Sequence, residues 1–90
     1  MKQLSQTKQF ARDVNRMVKR GKDSDKLRQI VMTLAREDKL DPHHRDHALT
    51  GEWKGTRDCH IEPDWILIYT PTDAHLRLER TGTHSDLFKK

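Results

Sequence analysis

The residues best suited to move protons are gathered in a few short stretches. "DPHHRDHALTG" carries His43, His44 and His47, "TRDCHIEPD" carries Asp58, His60 and Asp64, and "ERTGTHSDLF" carries Arg80, His84 and Phe88. Imidazoles suit acid and base work because their ordinary titration range lies near neutral pH. Metal-free cleavage of RNA needs one group to take the proton of a ribose 2′-OH and another to protonate the leaving 5′ oxygen. It also needs a cation to steady the phosphorane. Several histidines, nearby carboxylates and Arg80 meet these needs.

Two other chemistries fit less well. A zinc site could draw on His43, His44, His47, Cys59 or His60, but Pro42 opposes the helix that would align His43 with His47. No paired-cysteine spacing exists. Catalysis by Cys59 needs an exposed thiolate beside a base, and strand alternation turns Cys59 away from His60.

The elements around these residues are legible from their periodicity. Phe10, Val14, Met17 and Val18, widened by Ala11, mark an amphipathic helix capped by Ser5 or Thr7 and ended by Gly21. The segment "MKQLS" before it suits a short strand. Leu27, Ile30, Val31 and Leu34 mark a second helix, from Asp23 or Ser24 to about Lys39. The two form a helical hairpin that must bury its apolar stripes on something else. From Thr56 the pattern turns to strands, "TRDCHI", "WILIYT" and "HLRLERT", joined by "EPD" and "PTDA" into an antiparallel meander with "WILIY" at its centre. The stretch "LDPHHRDHALTGEWKG" between the halves reads as a long loop.

Alternation places Asp58 and His60 on one strand face and Arg57, Cys59 and Ile61 on the other, with Asp64 just across a turn from His60. In the last strand it groups Leu76, Leu78 and Arg80 against His75, Arg77, Glu79 and Thr81. An arginine ending an apolar row either snorkels to water or faces an anion. Thr83 and Asp86 form a capping pair, which puts His84 first in a terminal helical turn. The N–H groups there would attract phosphate, and Gly82 would let a ligand approach.

Ninety residues fit one domain, residues 1–90, of α+β class. Eighteen Lys and Arg against fourteen Asp and Glu give a net charge of +4, which favours a nucleic acid or an acidic protein as partner. A single cysteine excludes a disulfide framework, and neither a membrane-length apolar run nor a signal-peptide pattern is present. A cytoplasmic protein without membrane association is the expectation.

The stretch from Asp46 to Phe88, "DHALTGEWKGTRDCHIEPDWILIYTPTDAHLRLERTGTHSDLF", closely resembles the YafQ-type branch of the RelE/ParE toxin superfamily. The blocks that carry the resemblance are "DH-L-G-WKG-RD-H-EPDWILIY" and "L-ERTGTH--LF"; the helical half matches in layout and in "FARDV". The resemblance implies a RelE-like, microbial-RNase-like fold and an endoribonuclease toxin, needing no cofactor or metal, that cuts messenger RNA in the A site of the 70S ribosome. It implies functional positions at His47, Asp58, His60, Asp64, His84 and Phe88, with Arg80 as a phosphate or transition-state contact. The expected roles are His84 as general acid, His47 or His60 as base, Asp64 as the group orienting an imidazole, and Phe88 as a base-packing or supporting side chain. Lys19, Arg20, Lys22, Lys26 and Arg28 would contact ribosomal RNA or serve solubility. The resemblance also implies a cognate antitoxin, in a complex able to bind operator DNA. The rival readings are a gyrase-poisoning toxin of the same fold and a non-catalytic nucleic-acid-binding module; the cluster of histidines argues against the first.

Overall fold

A computed structural model describes residues 1–88. The elements run β1 (Gln3–Gln6), α1 (Lys8–Lys19), α2 (Ser24–Ala35), β2 (His47–Ala48), β3 (Arg57–Glu62), β4 (Trp65–Pro71), β5 (His75–Gly82) and α3 (His84–Leu87), with short 3₁₀ turns at Pro42–His44 and Gly51–Trp53. The five strands form one sheet in the order β1-β5-β4-β3-β2, antiparallel except for the parallel β1/β5 pair. The expected architecture holds, and the central place of "WILIY" follows from its being buried on both faces.

Each helix ends where its local chemistry dictates. The Thr7 hydroxyl accepts from Phe10 N at 2.9 Å and opens α1. Gly21 at φ 93° then closes it, with Lys22 N bonded to Met17 O and Gly21 N to Val18 O. The same closing pattern stops α2 at Ala35 rather than near Lys39. Glu37 takes the left-handed conformation at φ 62°, and the Asp38 and Glu37 N–H groups turn back to Thr33 O and Leu34 O. Lys2 N takes the Ala35 carbonyl, so the N-terminal segment occupies the space a longer helix would need.

Both helices pack on one sheet face. Phe10, Met17, Leu27, Ile30, Val31 and Ala35 meet Cys59, Trp65, Leu67, Tyr69, Leu76 and Leu78 in the main core. The opposite face carries a smaller cluster, Ile66, Ile68 and Leu87, flanked by Leu49, Trp53 and Phe88. The presumed loop between the halves is partly ordered: His47–Ala48 pairs with Asp58 and Arg57 as an added edge strand. Asp46 fastens its start, accepting from Tyr69 Oη at 2.5 Å and Arg57 Nε at 3.1 Å. A two-residue strand has no periodicity to read, so it was invisible before its partner was placed.

Candidate active site

The site lies on the sheet face that the two long helices leave free. Register places His47, Asp58, Ile68 and Arg80 in one row across β2, β3, β4 and β5. The neighbouring row is His60, Ile66 and Gly82, beyond which the chain turns into α3. Opposite residues in a row share a face, so the strand pairing alone brings His47, Asp58, His60 and Arg80 to one surface.

One expected alternation fails in β5. The β4/β5 ladder pairs Tyr69 with Leu78 and Ile68 with Arg80, leaving Glu79 as an extra residue. The bulge reverses the faces beyond it. Arg80 is therefore not in the row of Leu76 and Leu78, and Thr81 is buried on the helix-covered side, with its hydroxyl accepting from Trp65 Nε1 at 2.9 Å and donating to Ile66 O at 2.8 Å.

His84 is held at two atoms by one carboxylate. Asp64 Oδ1 accepts from His84 N at 3.0 Å and lies 2.7 Å from its Nδ1. These contacts, the backbone one first, keep the Asp64 carboxyl below its ordinary value. The His84 ring meets His60 edge to face at 5.4 Å and tilts against Phe88 at 6.3 Å, and Phe88 in turn stands edge-on to Trp53 at 6.4 Å. With Asp64 on Nδ1, Nε2 is the ring nitrogen left for a substrate.

The capping pair forms as a full box: Asp86 N donates to Thr83 Oγ1 at 3.2 Å and Thr83 N to Asp86 Oδ2 at 3.0 Å. At this helix start the His84 N–H is taken by Asp64. Gly82 also has a different task. A Cβ there would come within 3.0 Å of the Asp86 Cβ and 3.4 Å of Leu87, so its bareness lets α3 sit down on β5.

On the other row His47 faces Asp58 across the ladder. His47 Nδ1 lies 2.7 Å from the Arg45 carbonyl and 3.1 Å from Asp58 Oδ1. Its proton is directed at the carbonyl, which fixes the tautomer and leaves Asp58 Oδ1 buried with no hydrogen bond. Burial pushes the Asp58 carboxyl up, against the opposing charges of His47, His60 and His84. A carboxylate kept at that cost beside three imidazoles marks a functional site better than a structural one.

Arg80 is aimed by a residue that sequence reading passed over. Asp13 of α1 is wholly buried and stands beside the β5 edge that β1 leaves uncovered past Leu78. It accepts from Arg80 Nε at 2.7 Å and Nη2 at 3.3 Å, from Thr81 N at 3.2 Å and from Arg16 Nη2 at 2.9 Å. Burial pushes its carboxyl up, and the bonds from Arg80, Gln9 and Thr81 outweigh that and bring it below the ordinary value. The available signal was an aspartate inside the apolar stripe of Phe10, Val14 and Met17.

Cys59 is completely buried on the helix-covered face, where desolvation pushes its thiol up and away from thiolate chemistry. Among the described residues no group of three or more His, Cys, Asp or Glu is arranged to hold a metal ion. Three of the cations assigned to RNA contact or solubility have partners within the protein. Arg20 binds Asp86, while Lys22 and Lys26 bind the two oxygens of Glu62 at 2.6 and 2.8 Å. Lys19 and Arg28 remain exposed.

Residues 2–89 match the family model described as the bacterial toxin of type II toxin–antitoxin systems, YafQ. The chain belongs to the YafQ toxin family. It is 51% identical over 81 residues to the mRNA interferase toxin YafQ of Escherichia coli K12, covering 89% of this chain and 88% of the relative. Among solved structures, YafQ from E. coli BL21(DE3) superposes with a TM-score of 0.92 at 45% identity over 98% of this chain and 99% of that one. The toxin in the E. coli DinJ–YafQ toxin–antitoxin complex gives 0.90 at 46% identity, over 97% of both chains. In this YafQ-family chain the fold therefore brings His60, His84, Asp64 and Phe88 together at one end of the free sheet face. His47, Asp58 and Arg80 form the adjoining row. Asp13, Asp46, Trp53 and Tyr69 support them without having been singled out from sequence.

Proposed function

We propose that this YafQ-family chain is an endoribonuclease that cuts messenger RNA by attack of a ribose 2′-OH on the adjacent phosphate. The observation that carries the reading is the pair of imidazoles, His60 and His84, in edge contact, with Asp64 on Nδ1 of His84. His60 takes the 2′-OH proton, the oxygen bonds to phosphorus, the P–O5′ bond breaks, and His84 gives its proton to the departing oxygen. The products are a 2′,3′-cyclic phosphate and a 5′-hydroxyl end. Asp64 fixes the His84 ring through Nδ1 and so aims Nε2 at the departing oxygen, and Arg80, its guanidinium held by Asp13, offers positive charge to the phosphorane. His47 is the second candidate for the base, favoured by the Arg45 carbonyl that leaves its Nε2 free to accept.

The mRNA interferase activity named for the E. coli relative supports this substrate class. We further propose that cutting occurs on messenger RNA held in the ribosomal A site, with exposed cations such as Lys19 and Arg28 against ribosomal RNA. An antitoxin of the DinJ kind would restrain the toxin, in a complex able to bind its own operator DNA. The place of action is the cytoplasm, where ribosomes are, and no described helix is long and apolar enough to cross a membrane.

Expression with and without His84→Gln, read by growth and by primer extension on a translated message, tests the reading. The parent should arrest growth and leave cuts, and the variant should leave neither. A variant that cuts at the parent's positions overturns the acid assignment. Gyrase-linked DNA breaks without RNA cuts overturn the nuclease.

A further inference from the structure

A cleft of about 520 Å³ runs from the His60 and His84 rings to the turn at residues 42–45, with Arg45, His43, Glu62 and Pro63 on its walls. That volume falls in the range of small-molecule sites and exceeds what two imidazoles need around one phosphate. We propose that this cleft is a subsite for the nucleotide flanking the cut, with Arg45 on its phosphate and the His43 ring against its base. The proposal rests on the ribonuclease reading for its substrate class.

Charge is arranged for an anion. Arg45 is fixed at its backbone: its N–H bonds Pro42 O, its carbonyl takes His47 Nδ1, and the next residue, Asp46, is tied to Tyr69 and Arg57. Its guanidinium makes no hydrogen bond or ion pair among the described residues. Glu62, the acid that lines the cleft, has both oxygens occupied by Lys22 and Lys26 and repels an incoming phosphate little. A cation without a partner among the described residues thus lines the same cleft as a neutralised anion and the reacting groups.

The turn is built to hold this pose. Arg45 adopts φ 50°, a left-handed conformation that a branched or bulky residue seldom takes. His43 Nδ1 lies 2.7 Å from Asp41 Oδ1, and its ring packs against His44 at 3.9 Å, tilted by 39°, while its side chain stays 70% exposed. His44 Nδ1 is 2.6 Å from the His60 carbonyl, so the turn is fastened to the strand that carries His60. A flat ring held this way offers a stacking surface to any base.

The test uses the purified protein and a short RNA whose 2′-oxygens are methylated, so that it binds without being cut, followed by fluorescence anisotropy. Arg45→Asn removes the guanidinium and keeps a residue tolerant of the left-handed backbone. It should weaken binding about tenfold and lower the slope of log K against log salt by about 0.7, one phosphate contact on a single strand. Arg45→Lys should keep most of the affinity. His43→Ala should weaken binding severalfold without changing the slope, and Arg36→Gln, an exposed charge change outside the cleft, should do so less than twofold. Equal losses for Arg45→Asn and Arg36→Gln, or no binding by the parent at millimolar RNA, overturn the subsite. On translated message Arg45→Asn should raise KM with kcat retained; unchanged KM with intact cleavage overturns the subsite and leaves the nuclease standing. Arg45-dependent binding by a parent that never cuts leaves the cleft standing and removes the nuclease.

Discussion

Arg20, which caps the C-terminus of the first helix, and Asp86, inside the terminal one, share two hydrogen bonds: Nη1 to Oδ2 at 2.6 Å and Nη2 to Oδ1 at 3.2 Å. Asp86 also closes the capping box through Thr83 N. The helical layer therefore braces the short helix that carries His84 and Phe88. Arg20→Gln should lower kcat about tenfold and destabilise the fold modestly at neutral pH, since Arg20 is itself partly exposed, and Arg20→Lys should restore part of both. The Arg20 bond, offset in part by burial, holds the Asp86 carboxyl well below the usual range. A depressed carboxylate contributes above its unfolded value and is lost as pH falls through its folded one, so the brace opens only in strong acid. Equal kcat for parent and Arg20→Gln in single-turnover cleavage would show that α3 needs no brace.

Asp13 and Arg80 form a pair in which a wholly buried carboxylate meets a half-buried guanidinium. Asp13→Ala should destabilise the fold by about 1–3 kcal/mol, because it leaves the buried Thr81 N–H without its acceptor. Urea unfolding measures this, and a loss under 1 kcal/mol contradicts it. Since the Asp13 carboxyl is depressed, the stabilisation is complete above the ordinary carboxylate range and falls away as pH drops through the folded value.

Asp58 has the opposite sign. Its carboxyl is raised by burial, so ionising it costs stability, and that cost is felt once pH rises through the folded value. Asp58→Asn should therefore stabilise the protein by about 1 kcal/mol at neutral pH, roughly 4–8 °C in Tm for a domain of this size, while lowering cleavage. Calorimetry beside an activity assay reads both; a variant that is less stable and fully active would refute a functional origin for the buried oxygen.

Asp64 holds His84 by charge as well as by position. Asp64→Asn keeps an acceptor for the His84 N–H but removes the negative charge beside Nδ1, and kcat should fall about tenfold or more with KM nearly unchanged. Because its carboxyl is depressed, the parent keeps this contact above the ordinary carboxylate range and loses it as pH falls through the folded value. A pH series of kcat for both proteins checks it: the two profiles should converge in acid, and profiles that stay apart there contradict the role.

The amphipathic helix from Lys8, the shared face of Asp58 and His60, and the Thr83–Asp86 cap were all legible in the sequence. Each depends on residues a few positions apart, where the 3.6 and 2.0 periods and cap geometry are intrinsic to the backbone. The histidine cluster was legible too, as chemistry without coordinates. The contacts that turn it into a site join distant parts of the chain: Asp13 with Arg80, Asp64 with His84, Arg20 with Asp86. Alternation misassigned Arg80 because the Glu79 bulge is set by how β5 meets β4 and α1, and the helix start after Thr83 received a carboxylate from the β3–β4 turn. Local periodicity decides which way a side chain leaves its own element. Which partner it then meets is decided by packing between elements, whose energy no short stretch of the chain contains.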